Sequence, residues 1–388
     1  MAFKIILILL FSNLILNMYL QNLLVINFKN YNEVKLVFSE KINCFVGNNG
    51  AGKTNLLDAI HYLSFCKSYF NYIDNQNIQH DSDFFVLQGS FSKSDSIDEV
   101  YCGLKRNQKK TFKINKKEYE RLADHIGLFP LVIISPADYC LINEGSDIRR
   151  KYIDSVISQF DKVYLDNLIN YNKAIAQRNS LLKDFYEKRF FDKTQLEIWD
   201  EQIVPLGESI YNKRKSFLDS FIPIFKQHYS FITNGKENVA VEYESQLNEG
   251  KFEDLLKQAL YKDKLMKYTT VGIHKDDFLY NIGNYPIKKF GSQGQQKSFI
   301  IALKLAQFDF TKNIKGYKPI LLFDDIFDKL DNERVSKIMQ LVSNNSFGQV
   351  FITDAHSERI DTIFANIETE GTVFEIANGN VYKERPIK

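Results

Sequence analysis

The chain has few of the residues that build metal centres or disulfide frameworks. Its 388 residues include four cysteines and six histidines, with neither a C-x-x-C pair nor an H-x-x-x-H spacing. A zinc ribbon, a zinc hydrolase and a disulfide-stapled secreted fold are therefore not indicated. Scattered thiols are typical of a reducing compartment, so we expect a cytoplasmic protein.

The sequence also lacks an excess of either charge. The formal net charge is +2 at pH 7, although 25% of the residues are charged. Overall charge gives no argument for a nucleic-acid partner, which would need a local basic surface. Internal repeats and low-complexity linkers are missing too. A 44% apolar composition over this length predicts a large buried core, with room for two or three domains or lobes.

The apolar run near the N-terminus is too short to span a membrane. Lys4 and residues 5–11 resemble the start of a signal peptide, but no small-x-small cleavage site follows. Met18 then opens an alternating stretch, 18–28, which predicts a first strand. We expect Met18 to be the native start and residues 1–17 to be a non-native or unstructured extension. No membrane association is expected.

The most informative feature that is present is the run Gly-Asn-Asn-Gly-Ala-Gly-Lys-Thr at 47–54. It fits G-x-x-x-x-G-K-[ST] at every fixed position, between an apolar stretch and helical spacing. Strand, glycine loop and helix are the context in which this motif binds phosphate. Lys53 would reach the β- and γ-phosphates, and Thr54 would bind Mg²⁺. A glycine turn that only joins strand to helix is the competing interpretation. The predicted nucleotide contacts in this loop are Gly47, Asn48, Asn49, Gly50, Ala51, Gly52, Lys53, Thr54 and Asn55.

A second motif supplies the carboxylates that such a site needs. Residues 319–323 are apolar and predict a buried central strand, and Asp324 and Asp325 follow at its carboxyl end. We assign Asp324 to Mg²⁺ through water, and Asp325 to orienting or deprotonating the attacking water. An acidic turn after a strand is the simpler alternative.

A third motif indicates the class of ATPase. Gly-Ser-Gln-Gly-Gln-Gln-Lys at 291–297 precedes a helical pattern, about thirty residues before the acidic strand. This order is similar to the signature loop of ABC-type ATPases. In that class the serine and glycine, here Ser292 and Gly294, touch the γ-phosphate held by the opposite subunit. We include Gln295 in the site and Ser292 with Lys53 and Asp325 among the catalytic residues. For these residues alone, an ordinary helix N-cap is the favoured interpretation.

Two further stretches resemble parts of the same class. Residues 327–331 are similar to its D-loop, and residues 348–354 predict another buried strand. The class often has a histidine after that strand that senses the γ-phosphate. Here Asp354 takes that place and His356 follows, so the identity of the switch residue stays open.

The order of these patterns predicts an α/β fold: an ABC-type P-loop ATPase head with a mixed sheet, a helical second lobe and no long coiled coil. Strand patterns dominate up to residue 135, and helical periodicity runs from 147 to 230. We expect lobe I to comprise 18–145 and 305–388, and lobe II to comprise 146–304 and end in the signature loop. SMC proteins split their motifs similarly, but around a coiled coil of hundreds of residues.

Several stretches together resemble the RecF family of bacterial recombination-repair ATPases, over nearly everything from Met18 onward. The nucleotide motifs would fit many ATPases, whereas Arg149-Arg150 and Gln177-Arg178-Asn179 are the family-specific part. An Asp-Asp pair, where most ABC transporters carry Asp-Glu, also suits the family. The stretches are 30–31, 49–55, 135–138, 145–154, 171–174, 177–179, 199–202, 272–277, 292–296 and 323–325.

The resemblance implies a cytoplasmic protein that binds ATP and DNA, single-stranded and duplex or gapped, and that dimerises around ATP. It implies RecO and RecR as partners, help in placing RecA on gapped DNA, and a link to the SOS response. We expect a weak, DNA-stimulated ATPase that acts as a switch. Four basic clusters are candidate DNA contacts, with a solvated charged surface as the competing interpretation: 109–110, 116–117, 149–151 and 213–215. For Arg149-Arg150, a structural pair bound to acidic neighbours is an equal alternative.

Three rival functions remain at this point. A transporter ATPase subunit would share the three motifs, but would lack the helical insertion and Arg149-Arg150. A nuclease with an ABC-like head would need a second acidic cluster, for which Asp276-Asp277 is the candidate. A scaffold with an inactive ATP site is disfavoured by Lys53 and Asp324.

Overall fold

The computed structural model describes residues 18–93, 96–326, 332–343, 346–365 and 370–387. The N-terminal extension and the D-loop candidate at 327–331 lie outside these ranges. The chain divides into two compact units, one formed by residues up to 138 and from 301 onward, the other by 139–300. The predicted lobe boundaries fell at 145/146 and 304/305.

Strands and helices follow one another along the chain much as the hydrophobic patterns predict. The strands are β1 Met18–Phe28, β2 Tyr31–Val37, β3 Ile42–Val46, β4 Phe84–Lys93, β5 Ser96–Lys105, β6 Thr111–Ile114, β7 Lys117–Glu118, β8 Leu131–Ile134, β9 Val239–Glu244, β10 Asp277–Ile282, β11 Tyr285–Pro286, β12 Ile320–Phe323, β13 Val350–Asp354, β14 Gly371–Ala377 and β15 Asn380–Pro386. The α-helices are α1 Lys53–Phe65, α2 Cys140–Asn143, α3 Ser146–Ser158, α4 Lys162–Lys188, α5 Lys193–Thr233, α6 Phe252–Met266, α7 Ile287–Phe290, α8 Gln293–Lys315, α9 Asn332–Ser343 and α10 Ser357–Phe364.

Two six-stranded sheets form the first unit. One is antiparallel, in the order β2-β1-β4-β5-β6-β7, and its strand β1 alternates between buried and partly exposed residues. The other has the order β15-β14-β3-β13-β12-β8 and is parallel except for the β14–β15 hairpin. Strands β3, β12 and β8 are buried at every residue, which explains why they are apolar apart from Asn43, whose side-chain N–H donates to the carbonyl of Ser39. The predicted mixed sheet is thus confirmed.

Helix α1 contacts strands of both sheets. Eleven of its thirteen residues are buried, so it presents no polar face to solvent. Its aromatic side chains join those of the antiparallel sheet, where Phe28, Tyr62 and Phe85 meet edge to face with ring centroids 5.2–6.1 Å apart. This packing fixes the N-terminus of α1 at the carboxyl edge of the parallel sheet.

The second unit is helical, with a small antiparallel sheet in the order β11-β10-β9. Its longest elements, α4 and α5, have 27 and 41 residues and pack against each other, and α6 packs on α5. Strands β9 and β10 lie near residues 240 and 280. Among the described residues, no helix combines the length and apolar character needed to cross a membrane.

Candidate nucleotide site

The glycine loop joins β3 to α1 through backbone conformations that side chains rarely adopt. Gly47 has φ +154° and Gly52 has φ +116°. A Cβ at position 47 would lie 2.1 Å from the carbonyl oxygen of Ile376, and one at position 52 would lie 2.6 Å from Nδ2 of Asn30. The loop therefore needs glycine at both positions for space as well as for φ.

Side chains from the first hairpin brace this loop. Asn30 Nδ2 donates to the carbonyl of Ala51 at 3.1 Å, and the Tyr31 hydroxyl donates to the carbonyl of Gly52 at 3.2 Å. Asn55 Nδ2 donates to Asn30 Oδ1 at 2.8 Å. These bonds explain why the Asn30-Tyr31 pair belongs to the site, although it lies more than fifteen positions before the motif.

The loop is held from the C-terminal side as well. The N–H of Gly379, in the β14–β15 turn, donates to the carbonyl of Ala51 at 2.9 Å. Gly379 has φ +72°, and a Cβ there would lie 2.2 Å from the backbone oxygen of Asn30. No pattern in the sequence pointed to this contact.

The N-terminus of α1 is arranged to receive an anion. No side chain caps it, and its first turn contains no acidic residue. Uncapped N–H groups and the helix dipole together favour a phosphate at this point. Lys53 is 3% exposed, and its Nζ donates to the carbonyls of Gly47 at 2.7 Å and Asn48 at 3.2 Å. The ammonium group is thus held inside the curve of the loop.

The acidic strand meets this helix directly. Thr54 Oγ1 donates to Asp324 Oδ1 at 2.8 Å, across 270 sequence positions. Asp324 also accepts from the Thr353 hydroxyl at 3.0 Å and, through Oδ2, from the Ser135 hydroxyl at 3.1 Å. The carboxyl ends of β3, β8, β12 and β13 adjoin in the parallel sheet, which brings these side chains together.

The environment of Asp324 opposes its negative charge. Burial and the neighbouring charge of Asp325 raise its pKa above the ordinary range, while hydrogen bonds from Thr54, Thr353 and Ser135 act in the opposite direction. A divalent cation at this point would relieve that cost, and a carboxylate beside a hydroxyl offers the oxygen ligands that Mg²⁺ prefers. Thr54 and Asp324 therefore fit the predicted metal role.

Asp325 is oriented by the backbone. It has φ 44°, in the left-handed region, and its N–H donates to Thr353 Oγ1 at 2.9 Å. Thr353 therefore contacts both carboxyl residues, a role that no local sequence pattern assigns. The side chain of Asp325 remains partly exposed at the carboxyl edge of the sheet, where a water molecule could reach it.

The two candidates for the switch residue have different surroundings. Asp354 is 2% exposed, accepts from the N–H of His356 at 2.7 Å, and lies 3.3 Å from Arg359 Nη1. His356 is exposed. His356 thus faces solvent, whereas Asp354 is held in a buried turn.

Buried side chains support Ser135 from behind. Its N–H donates to Asp138 Oδ2 at 2.8 Å, and Asp138 pairs with Lys304 at 2.6 Å and accepts from the Tyr69 hydroxyl. Both Asp138 and Lys304 are at most 5% exposed at the side chain. The turn 135–138 therefore has a structural role, because it positions the Ser135 hydroxyl that donates to Asp324.

The signature turn lies in the second unit, at the start of α8. Ser292 Oγ accepts from the N–H of Gln295 at 3.2 Å, while Gln295 Oε1 accepts from the N–H of Ser292 at 2.7 Å. This is a reciprocal capping box, so Ser292 is indeed an N-cap. Ser292 is exposed and Gly294 is partly exposed. A capping serine that faces solvent still has its hydroxyl proton for a second acceptor.

The sequence matches a known family over almost its whole length. The RecF/RecN/SMC N terminal domain matches residues 19–373. The DNA replication and repair protein RecF of Phocaeicola vulgatus is 51% identical over 95% of this chain and 99% of the relative. Its counterpart in Flavobacterium johnsoniae is 53% identical over 92% of this chain and 100% of the relative.

The chain belongs to the RecF family.

Solved structures agree with this membership. A structure of the recombination mediator protein RecF-ATP in the RecFOR pathway has a TM-score of 0.86 at 31% identity, over 95% of this chain and 98% of that one. The corresponding RecF-ATPrS structure has a TM-score of 0.84 at 32% identity, over 94% and 98%. An Smc head domain from Pyrococcus furiosus has a TM-score of 0.56 at 16% identity, over 96% of each chain, and shows the fold alone. The predicted fold class, an ABC-type head without a long coiled coil, is confirmed, and so is the predicted family.

The stretches that resemble the RecF family most specifically prove to be structural. Arg149 forms a bidentate pair with Asp277, at 2.7 and 2.8 Å. Arg150 Nη1 donates to the Ser146 hydroxyl at 2.7 Å. Arg178 is fully buried and pairs with Asp200 and Asp263, each at 2.6 Å.

The same holds for other basic clusters that were candidate DNA contacts. Arg214 is 1% exposed and pairs with Asp154 and Asp276, each at 2.9 Å. Lys110 pairs with Asp74 at 2.8 Å and Lys213 with Asp161 at 2.6 Å. Solvent-facing lysines remain at 109, 116, 117, 151 and 215, and Lys151 forms an exposed pair with Asp147.

These ion pairs also bear on the nuclease alternative. Asp276 and Asp277 each hold an arginine, Arg214 and Arg149 respectively, so their carboxylates are committed to the fold. Within the described ranges, no group of three or more His, Cys, Asp or Glu side chains is arranged to hold a metal ion. The acidic pair therefore gives no support to a second metal site.

Proposed function

We propose that this chain is an ATP-dependent switch of recombinational repair: a protein that binds ATP and Mg²⁺, dimerises around the nucleotide, and does so on DNA. The observation that carries the proposal is the 2.8 Å hydrogen bond between Thr54 and Asp324. It unites the phosphate loop with the acidic strand in one site, although 270 positions separate them. The matched RecF-ATP structure supports ATP as the nucleotide.

The residues of the first unit have distinct roles in this proposal. The loop and the start of α1 bind the phosphates, Lys53 neutralises their charge, and Thr54 with Asp324 holds Mg²⁺. When bound, the metal would stabilise charge on the transferred phosphoryl group. Asp325 orients the attacking water and takes its proton. Membership of the family, rather than any observed location, supports placing the protein in the cytoplasm.

The second half of the site would come from another copy. Exposed Ser292, with Gly294 and Gln295 beside it, would contact the γ-phosphate bound by the partner. Donors supplied in trans to a phosphoryl transition state raise turnover by roughly 10³-fold or more. A single copy should therefore bind ATP but hydrolyse it poorly, and hydrolysis should reopen the dimer.

DNA and repair proteins would act on this switch. The curated relatives are DNA replication and repair proteins, and the matched structures concern the RecFOR pathway. We therefore propose that the closed dimer is favoured on DNA, that RecO- and RecR-type proteins are its partners, and that it promotes RecA loading at gaps and SOS induction. The preferred form of DNA is left to experiment.

Mixing two inactive variants tests the shared site most sharply. Lys53→Ala inactivates the loop half and Ser292→Ala the signature half. In a mixed dimer, the intact phosphate loop of the Ser292→Ala chain faces the intact Ser292 of the Lys53→Ala chain. One complete site therefore forms. DNA-stimulated ATP turnover of the mixture should exceed that of either variant alone. Mixing Lys53→Ala with Asp324→Asn is the matched control, because both changes fall in the same half and no complete site results.

Sedimentation with ATP and with ADP gives the second measurement. We expect dimers with ATP and monomers with ADP, and Ser216→Ala, which alters another exposed serine, should behave as the unchanged protein. A protein that stays monomeric at saturating ATP, or a mixture with no gain in turnover, would refute the shared site.

A further inference from the structure

The end of the α4–α5 hairpin carries a cleft that the proposed ATP switch does not use. Its volume is about 600 Å³, within the range of ligand-binding pockets. Apolar side chains form its lining, and Arg189 and Lys264 contribute the positive charge. We call it the hairpin cleft and define its apolar lining as Leu182, Phe185, Phe190 and Phe191.

The floor of the hairpin cleft is a small hydrophobic core of its own. Leu182 and Phe185 are buried together with Leu196 of α5, and Phe191 packs against them. The Phe185 and Phe191 rings meet edge to face at 5.4 Å. Phe190 lies on the same cleft but is 59% exposed. The side chains of Leu182, Phe185 and Phe191 are thus packed together, whereas the large aromatic side chain of Phe190 is exposed to water.

Three cationic side chains lie beside this apolar surface. Arg189 and Lys264 line the cleft, and Lys267 lies 3.7 Å from the ring centre of Tyr186, which also lines it. Over the part of the chain that the structure describes, none of these three cations forms an ion pair with a carboxylate. Glu187 is the only acidic side chain in the lining. Asp263, next to Lys264 in sequence, is buried against Arg178 and does not offset the charge.

Helix geometry accounts for only part of this arrangement. Arg189 and Lys267 are the C-caps of α4 and α6, where the helix dipole attracts cations. The dipole does not explain exposed aromatic side chains beside them. Exposed apolar surface next to unpaired charge is instead typical of a surface that receives a partner.

We infer that the hairpin cleft is a docking site for an acidic peptide segment of a partner protein, anchored by a large apolar side chain. The anchor would fill the cleft against Phe185 and Phe190, and its flanking carboxylates would pair with Arg189 and Lys264. Charge complementarity favours an acidic partner, and the apolar floor favours an apolar anchor.

Single-stranded DNA fits the same features less well. Bases bind such surfaces by stacking on free aromatic faces. Here Lys264 Nζ lies 3.9 Å from the centre of the Phe191 ring, and Lys267 covers Tyr186 in the same way. A stacking base would have to displace both ammonium groups, whereas a carboxylate could pair with them where they are.

The direct test is fluorescence anisotropy of the full chain with a labelled peptide of several aspartates followed by Leu-Phe. A peptide with serines in place of Leu-Phe tests the anchor. Arg189→Gly and Lys264→Ala, combined, remove two cations. Arg189 has φ 50°, which glycine adopts freely, so this change preserves the turn. Lys257→Ala removes an exposed cation from α6 outside the hairpin cleft and is the matched control.

We expect saturable binding of the Leu-Phe peptide, at least about tenfold weaker binding by the double variant, and no more than about a twofold change with Lys257→Ala. The serine peptide should not bind. Absence of saturable binding, or an equal loss with Lys257→Ala, would overturn the inference. So would loss of binding to a thymidine oligonucleotide in the double variant, because the hairpin cleft would then be a nucleic-acid surface. The unfolding midpoint of each variant, followed by Trp199 fluorescence, shows that the second unit is folded.

Discussion

Replacing Arg178 by methionine should destabilise the second unit strongly, because it leaves a buried carboxylate without its partner. Arg178 joins α4 to Asp200 on α5 and to Asp263 on α6, each at 2.6 Å. The side chain of Asp263 is 0% exposed, whereas that of Asp200 is 26% exposed and can recover water. Loss of Arg178 should therefore lower the free energy of unfolding mainly because the buried carboxylate of Asp263 is left without a cation.

The size of the effect follows from the contacts that remain. Breaking a buried pair by removing one partner costs about 3–5 kcal/mol. Asp263 would keep two hydrogen bonds from Thr270, at 2.8 and 2.7 Å, and Arg178 already has one buried N–H group without an acceptor. Both facts place the expected loss near the lower limit, at about 3 kcal/mol.

Urea unfolding followed by tryptophan fluorescence measures the stability of the second unit, which contains Arg178. Trp199 is the only tryptophan, and it precedes Asp200 on α5. Lys188→Met is the matched control, because it removes an exposed pair with Asp184, worth at most about 0.5 kcal/mol. Adding Asp263→Asn to Arg178→Met should recover much of the loss, since no buried charge then remains unpaired. A loss no larger than that of Lys188→Met, or no recovery in the double variant, would refute the reasoning.

Other predictions concern the first unit. Burial lowers the pKa of His61 and of His125 to about 4, so both are neutral in the folded state, while the unfolded chain binds protons below about pH 6.5. The contribution of each buried neutral histidine to the free energy of unfolding should therefore be fully present above about pH 6.5 and be lost as the pH falls toward 4. The expected loss at pH 5.5 is about 1.4 kcal/mol per histidine. Equal urea midpoints by circular dichroism at pH 7 and 5.5 would contradict this. Thr54→Ala should weaken ATP binding in calorimetry with Mg²⁺ but not with EDTA, and Thr54→Ser should retain binding; an equal loss in both buffers would remove Thr54 from the metal site. Gly47→Ala should abolish ATP binding, because its Cβ would lie 2.1 Å from a backbone oxygen, whereas Gly283→Ala, with open space around it, should bind ATP normally and lose about 1 kcal/mol of stability.

The sequence predicted those parts of the site that depend on local pattern. Residues 320–323 are a continuous apolar run and residues 42–46 are apolar apart from Asn43, and short runs of this kind beside turn residues are typical of buried strands. The loop between β3 and α1 carries its own conformational signal in Gly47 and Gly52. The fold class was predictable for the same reason.

What the sequence could not predict depends on long-range packing. Thr353 and Ser135 hold Asp324 from two other strands, and no local pattern marks a hydroxyl as a carboxylate partner. The sequence left Arg149 open between a DNA contact and a structural pair with acidic neighbours, and Arg214 open between a DNA contact and a solvated surface, because a run of basic residues looks the same whether its acidic partners are near or absent. Only the fold supplies Asp277 and Asp276 as those partners. The burial of Asp354 and the exposure of His356 also depend on the turn between them, which no local pattern predicts.

The phosphate loop near residue 50 is completed by the last residues of the chain, and this has a consequence for synthesis. Strand β3 lies between β13 and β14, and Gly379 closes on Ala51. Synthesis must therefore proceed more than 300 residues beyond Ala51 before the loop has these neighbours. Chains that end before β14 carry the entire motif yet lack the β14 pairing of β3 and the hydrogen bond from Gly379, so we expect them to bind ATP more weakly than the full chain.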